Sequence, residues 1–250
     1  MHVKVISLNV RIDVPVDGSN QWSFRRQSIV DYVALQNPDV CFFQEVNTSM
    51  YAFLQDHLPD FESVYMGRDA NRLGEGCPIF FKKSTFSKVS EHTFWLSHHP
   101  HTPGSMDEEE GFPRIATHLR LLTKEKNTVS FLNTHLAYRS KRNQDLNLKV
   151  LFDFIQSLPS GEPLVAGGDF NMERQTIQAY KPRNLRFAGE SNTQMTYHEF
   201  QGGEGRIQID HLLYTDVEEV RFSVDQSTFQ SRHLSDHYPV IGEFIVYANA

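Results

Sequence analysis

Residues 163–171 read Pro163-Leu164-Val165-Ala166-Gly167-Gly168-Asp169-Phe170-Asn171. The short apolar run is that of a buried strand. The Gly167-Gly168 pair lets the backbone turn tightly, and an acidic residue with an asparagine two places on follows at once. The same pattern recurs along the chain. Val3–Leu8 ends in Asn9, Val40–Phe43 in Gln44-Glu45, and Val129–Leu132 in Asn133-Thr134-His135. Ser235-Asp236-His237 stands directly before the apolar run Tyr238–Val246, and Asp210 is embedded in Ile207–Leu213. Strands hold side chains rigidly, so strand ends are good places for polar groups to converge.

Between these strands the hydrophobic period changes. Trp22–Gln36 carries Ile29, Val30 and Val33 at helical spacing. Asn37-Pro38-Asp39 stops that helix, because proline disfavours helical geometry in the residue before it. Thr48–Leu58 reads as a helix capped by Thr48 or Ser49. Asn143–Leu158 is the strongest helix, its stripe formed by Leu146, Val150, Leu151, Phe154, Ile155 and Leu158. Asp39–Phe43, Phe61–Met66, Pro78–Lys82, Ile115–Leu122, Thr128–Leu132, Ile207–Tyr214, Val220–Val224 and Tyr238–Val246 read as strands. Residues 91–113 read as a long surface loop, which holds His98, His99 and His101 and the acidic run Asp107–Glu110. No repeat, low-complexity segment or linker-like shift divides the chain. Residues 1–250 are therefore expected to form one α/β domain with helices packed on sheets.

The composition narrows the function. The 250 residues carry a formal charge of −7, with 39% hydrophobic and 22% charged residues, which is a globular mixture able to bury a core without staples. The acidic balance speaks against a strongly basic nucleic-acid coat. It does not exclude a nucleic-acid substrate, because a bound cation can supply local positive charge. The cysteines, Cys41 and Cys77, make no disulfide framework and fit a reducing compartment. The apolar stretch Val3–Leu8 is too short for a signal peptide or a membrane span. A cytoplasmic, monomeric protein is expected.

Glu45, Asp169, Asp236, Asn9 and Asn171 are oxygen-bearing side chains of the kind that hold hard cations such as Mg²⁺ together with phosphate. His135 and His237 can exchange hydrogen bonds or protons with a phosphoryl group. Asp210, an acid among apolar residues, needs a cationic or histidine partner, since an unpaired buried carboxylate is costly. Taken singly, each motif has an ordinary explanation as a cap, a turn or a solvated strand end. Their joint occurrence at successive strand ends points to a site.

Six segments, Ser7-Leu8-Asn9, Phe43–Val46, Asn133–Leu136, Gly168–Asn171, Ile209–Leu213 and Ser235–His237, together resemble the endonuclease/exonuclease/phosphatase superfamily, which includes DNase I and the exonuclease III-type enzymes. The resemblance spans residues 7–237. Thr93–Ser97, Thr102–Ser105 and Pro113–Thr117 are similar to a compact bacterial subgroup. The resemblance implies a four-layer α/β sandwich: two mixed β-sheets packed face to face, with helices outside. It implies a phosphoester hydrolase dependent on one or two Mg²⁺ or Mn²⁺ ions, in which a metal-assisted, Asp-positioned water attacks phosphorus. By motif, Glu45 is the main metal ligand, assisted by Asn9 and Asp236. Asp169 orients or deprotonates the water, and Asn171 holds the water or the phosphate. His237, its ring paired with Asp210, contacts phosphate, with His135 and Arg114 as further phosphate-facing groups.

There are departures. Gln208 stands two places before Asp210, where a basic residue is usual, although Arg206 is near. The run His98-His99-Pro100-His101 replaces acidic residues, and it reads as a solvated loop rather than a transition-metal site. Two substrate classes share the chemistry. Trp95, Tyr197 and Phe200 are loop aromatics that suit a nuclease, by stacking bases, with Trp95 and Tyr197 the principal candidates. A phosphodiesterase of the nuclease type is the first expectation, and a phosphatase or phosphodiesterase for a small phosphorylated metabolite is the alternative. The absence of a long basic patch weighs against tight duplex binding, because Arg25-Arg26, Lys82-Lys83 and Arg139–Arg142 read as solvated faces. A binding module that kept the fold without the chemistry is the third reading, and the filled acidic positions weigh against it.

Overall fold

The computed structural model of the chain describes residues 1–107 and 111–247. The acidic run beyond Asp107 lies outside the described residues. One six-stranded sheet contains β1 (His2–Asn9), β2 (Val40–Gln44), β3 (Phe61–Val64), β4 (Ile79–Lys82), β11 (Glu218–Val224) and β12 (Val240–Ile245). The other contains β5 (Phe86–Trp95), β6 (Ile115–Thr123), β7 (Thr128–His135), β8 (Leu164–Asp169), β9 (Arg186–Phe187) and β10 (Asp210–Thr215). The orders are β11-β12-β1-β2-β4-β3 and β5-β6-β7-β8-β10-β9. Each sheet is mixed, with one parallel pair near its centre: β1 with β2 and β7 with β8.

A parallel pair needs a crossover, and helices supply both. Helix α1 (Trp22–Gln36) joins β1 to β2, and α3 (Lys141–Ser157) joins β7 to β8. Helix α2 (Thr48–His57) follows β2, and the short α4 (Arg174–Gln178) follows β8. The period-2 alternation of the strands explains the layers. Val3, Val5, Val40 and Phe42 face Phe131, Val165 and Leu212 in the core between the sheets. The alternate residues Ile6, Leu8, Cys41 and Phe43 pack outward on Ile29 and Val33 of α1 and Met50 and Leu54 of α2. Leu132, Leu164, Ala166 and Leu213 pack outward on Leu148, Leu151 and Ile155 of α3. This is the four-layer sandwich expected.

Three local expectations change. Helix α2 is capped by Asn47, whose Oδ1 accepts from the Met50 N–H at 3.0 Å, rather than by Thr48 or Ser49. Residues 91–95 belong to β5, an edge strand with a bulge between Lys88 and Ser90. Its middle is solvated, so polar Ser-Lys-Val-Ser-Glu-His gives no alternation to read. The buried face of α3 is rotated to include Asn143 and Asn147. Asn147 is accommodated there because it donates to Leu96 O at 2.6 Å and accepts from the Ala137 N–H at 2.9 Å.

Gly168 sits at φ +134°, and a Cβ there would lie 1.9 Å from the Thr134 carbonyl oxygen on the neighbouring strand. Gly168→Ala is expected to destabilise the fold by about 2–4 kcal/mol through strain and overpacking; a chemical-denaturation midpoint equal to that of the wild type would contradict the close approach. Burial holds the His118, His198 and His211 rings neutral, each with a pKa pushed down to about 4. The unfolded chain takes up these protons near pH 6.5 and the folded chain does not, so stability falls as pH drops from roughly 6.5 towards 4. Thermal unfolding across that window is expected to show a falling Tm, the three rings outweighing the opposite contribution of Asp169 and Asp236, whose raised carboxyl pKa values favour the fold at low pH. An NMR titration in which the three rings protonate near pH 6.5 would mean that they titrate normally inside the fold.

Candidate active site

The inner faces of both sheets are apolar over most of their length and turn polar at one end. In β1 the inward sequence is Val3, Val5, Ser7, Asn9, and in β2 it is Val40, Phe42, Gln44. In β7 it is Val129, Phe131, Asn133, His135, and in β8 it is Val165, Gly167, Asp169. On antiparallel β10 it is Tyr214, Leu212, Asp210, with Asp210 paired in register to Asp169. The switch comes at the same end on each of these strands, so these polar residues are brought together. The inner members of the group tie the sheets to each other. Gln44 Nε2 donates to Asn133 Oδ1 at 2.7 Å, and Asn133 Nδ2 donates to the carbonyls of Phe43 and Pro78 at 2.8 Å.

At the rim, Asn9 Nδ2 donates to Glu45 Oε1 at 3.1 Å and to Asp169 Oδ2 at 3.0 Å, joining carboxylates carried by different sheets. The Asn9 Oδ1 accepts from the Arg11 N–H at 2.9 Å. Glu45 has a left-handed backbone, φ 61°, as the chain leaves β2, and its Oε2 accepts from the Ile12 N–H at 2.8 Å. Asp169 Oδ1 accepts from the Asn171 N–H at 2.8 Å, while Asn171 Nδ2 donates to the Leu136 carbonyl. His237 Nδ1 donates to Asp210 Oδ2 at 2.8 Å, and its Nε2 lies 3.8 Å from Asp169 Oδ2. Asp236 accepts from the Ser235 hydroxyl on Oδ1, and its Oδ2 is 3.9 Å from Arg11 Nε.

These contacts set the charges. Burial by itself would lower the His237 pKa, but the charges of Asp210 and Asp169 and the Asp210 hydrogen bond overcome it, so the ring is held as an imidazolium. Burial, then the charge of Asp210, lifts the Asp169 carboxyl above the ordinary carboxylate range. His135 Nε2 is 3.4 Å from Asp169 Oδ2, but burial, Arg114, Arg68 and His237 push its pKa well down. A neutral His135 offers a hydrogen bond, not a charge. Burial also raises the Asp236 pKa.

A cleft of about 390 Å³ opens on this group. Glu45, Asp169, Asn171, Asp236, His135 and His237 line it, as do Arg114 and Tyr197. Asn9 and Asp210 stand behind its wall, acting on the lining groups through hydrogen bonds. The Tyr197 ring lies 4.9 Å from that of His237. Trp95 is not in the cleft: it is 3% exposed and its Nε1–H donates to the Arg68 carbonyl at 2.6 Å. It braces the loop of residues 66–76 instead of meeting a ligand. Phe200 covers the Arg25 guanidinium. Gln208 turns away from the site to the carbonyls of Asn192 and Gln194, and Arg206 pairs with Glu199.

Other lining residues were not foreseen from the sequence: Arg11, Arg68, Glu75, Phe112 and Tyr138. Arg68 and Glu75 form a two-pronged pair, at 3.0 and 2.5 Å, across the 66–76 loop. Phe112 lies between guanidinium groups, with Arg68 and Arg114 at 4.5 and 4.6 Å from its ring centroid. The glycines at 67, 74 and 76 around Glu75 were the available sign of a shaped loop.

Oxygen donors of Glu45, Asp169 and Asp236 share the cleft, and Asp169, Asp210 and His237 place ligand atoms within 4.8 Å of one another, close enough to hold an ion. Among the described residues, the His98-His99-Pro100-His101 run forms no such group. No helix among the described residues is long and apolar enough to cross a membrane.

Comparison with known proteins agrees with this geometry. The family model described as the endonuclease/exonuclease/phosphatase family matches residues 6–237. An uncharacterized protein, L388, of Acanthamoeba polyphaga mimivirus is 28% identical over 189 residues, covering 70% of this chain and 69% of that protein. Among solved structures, an endonuclease/exonuclease/phosphatase from Bacteroides vulgatus superposes with a TM-score of 0.92 at 23% identity, over 99% of this chain and 100% of that one. The mannosyl-6-phosphatase of Bacteroides thetaiotaomicron gives 0.90 at 24% identity, over 97% and 99%. A truncated Caenorhabditis elegans TDP2 gives 0.77 at 19% identity, over 98% of each chain. With the family model matched from the first strand to the histidine of the cleft, the chain belongs to the endonuclease/exonuclease/phosphatase family.

Proposed function

We propose that this chain hydrolyses phosphoesters with the help of Mg²⁺ or Mn²⁺, and that its substrate is a small phosphorylated molecule. The observation that carries the reading is the hydrogen-bonded pair Asp210–His237 beside Asp169, in a cleft that Glu45 and Asp236 also line. The arrangement has the parts of phosphoryl transfer. Asp169, with its proton affinity raised by burial, accepts a proton from an attacking water, and Asn171 and Asn9 hold its carboxylate in place. His237, kept charged by Asp210, stabilises the negative charge that grows on the phosphoryl oxygens, together with Arg114. Neutral His135 donates a hydrogen bond to the same oxygens.

The donor set fits a hard cation. Glu45 and Asp236 offer oxygen only, without sulfur, and both line the cleft. His237 is engaged by Asp210 and charged, which makes the Asp169-Asp210-His237 group the poorer place for a cation. Asn9 serves by placing Glu45, since its amide oxygen is spent on the Arg11 N–H. A bound divalent ion supplies neutralisation of phosphoryl charge and acidification of water.

The cleft volume of about 390 Å³ supports the small substrate. Of the aromatic residues singled out in the sequence, Trp95 is buried and Phe200 covers Arg25, while Tyr197 lines the cleft beside Tyr138 and the arginine-flanked Phe112. The superposition on a mannosyl-6-phosphatase supports the same class, and the endonucleases and exonucleases for which the family is described keep nucleic acid as the second reading.

The test is hydrolysis of a panel under Mg²⁺ and Mn²⁺: hexose 6-phosphates, p-nitrophenyl phosphate, bis-p-nitrophenyl phosphate, single-stranded DNA and RNA. Turnover of the small esters with none of the nucleic acids is expected, and the reverse outcome would overturn the substrate reading. Asp169→Ala and His237→Ala should each lower the rate by more than about a hundredfold. Glu45→Ala should raise the Mn²⁺ concentration needed for half-maximal rate, and an unchanged requirement would remove Glu45 from the cation site.

A further inference from the structure

Arg25 and Arg26 are neighbours in sequence that part company in the structure. Arg26 lies over the Phe53 ring at 4.6 Å, on the outward side of α1. Arg25 is turned inward and is 1% exposed, so it is no part of a solvated basic face. A guanidinium in that position is costly unless its donors are met. They are met by backbone carbonyls in place of a carboxylate. Nε donates to Asn20 O at 2.5 Å, Nη1 to Val10 O at 2.8 Å and Leu234 O at 2.6 Å, and Nη2 to Arg11 O at 3.2 Å. The Phe200 ring lies 5.3 Å from its central carbon.

Those carbonyls border the cleft. Val10 follows Asn9, and Arg11 precedes Ile12, whose N–H holds Glu45. Leu234 precedes Ser235-Asp236-His237. The two segments are separated by more than two hundred residues, and a single Nη1 bridges them. Arg11, whose backbone is gripped in this way, is also the cation nearest Asp236, at 3.9 Å, and is itself tied to Asp17.

We propose that Arg25 is a positioning residue of the active site: its guanidinium fork clamps the backbone carrying Asn9 and Arg11 to the backbone carrying Asp236 and His237. The inference rests on the hydrolase reading of that site. Arginine is required because the planar fork reaches carbonyls in several directions at once, whereas a lysine ammonium is a compact point charge. Ångström-scale displacement of a reacting group can cost about a hundredfold in rate without touching the chemistry directly.

The test compares the full chain with Arg25→Lys, Arg25→Gln and, as a control on the same helix, Arg26→Met. kcat and KM are measured separately under Mn²⁺ on whichever panel ester the wild type turns over. Arg25→Lys should lose at least about tenfold in kcat with KM within about threefold, while Arg26→Met stays near wild type. A folded Arg25→Lys with kcat within about threefold of wild type would overturn the proposal. Arg25→Gln is read the same way where Arg25→Lys does not fold. If the wild type turns over no ester, the functional reading fails, and the clamp is still tested by NMR. The downfield proton of the His237 Nδ1–H···Asp210 hydrogen bond should then shift or broaden in Arg25→Lys, and an unchanged resonance would refute the clamp.

Discussion

The structure depends on one constraint: side chains alternate along a strand, and the sheets pack face to face. Whatever follows the apolar residues on the inner face of one sheet must meet whatever follows them on the other. In this chain that is Asn9 and Gln44 on one side and Asn133, Asp169 and Asp210 on the other. Burying so many polar groups is tolerable because most of their polar atoms pair with one another, Gln44 Oε1 and Asp210 Oδ1 being the exceptions within this group. The Asn9 amide serves Glu45 and Asp169 together, and Gln44 with Asn133 continues the seam inward. Polar pairing between the sheets thus takes over where apolar packing stops.

The seam also explains the electrostatics of the cleft. Asp169 and Asp210 oppose each other in register on neighbouring strands, so their charges repel in a site with little water. A positive His237 relieves both, which is why its ring is held charged despite burial. His135 lies almost as close to Asp169 but also feels Arg114, Arg68 and His237, and is neutral. Two histidines of similar burial are thereby given different protonation states by their neighbours. The same reasoning separates the arginines: Arg11 is stabilised by Asp17, whereas Arg25 is held by carbonyls and loses proton affinity to burial.

The cleft wall made by residues 66–76 and 112–114 shows how support and contact are divided. Arg68 and Glu75 reach the cleft as a pair, and Phe112 stacks on Arg68 and Arg114. Trp95 holds this wall from behind through the Arg68 carbonyl. Gly104 meets the same loop, where a Cβ would come within 2.6 Å of the Ala70 backbone nitrogen. An aromatic residue near a site in sequence has therefore become a buttress, and the surface available to a ligand is set by arginine, acid and phenyl ring.

Much of this was legible in the residues alone. The strands that bear Asn9, Glu45, His135 and Asp169, the crossover helices, and the family motifs follow from local alternation, helical spacing and short segments, which neighbouring residues decide. Arg68, Glu75, Phe112 and the inward turn of Arg25 were not legible, because each depends on a partner far along the chain: Phe112 stacks on Arg68, and Arg25 meets Val10 and Leu234. Edge strand β5 escaped for a related reason, since its ladder to β6 needs no buried face. The sequence by itself determined which groups are present and where its inner faces turn polar. Only the tertiary structure decided which of them are charged, which reach the cleft and which stand behind it, because burial and the distance between charges exist only once the sheets have met.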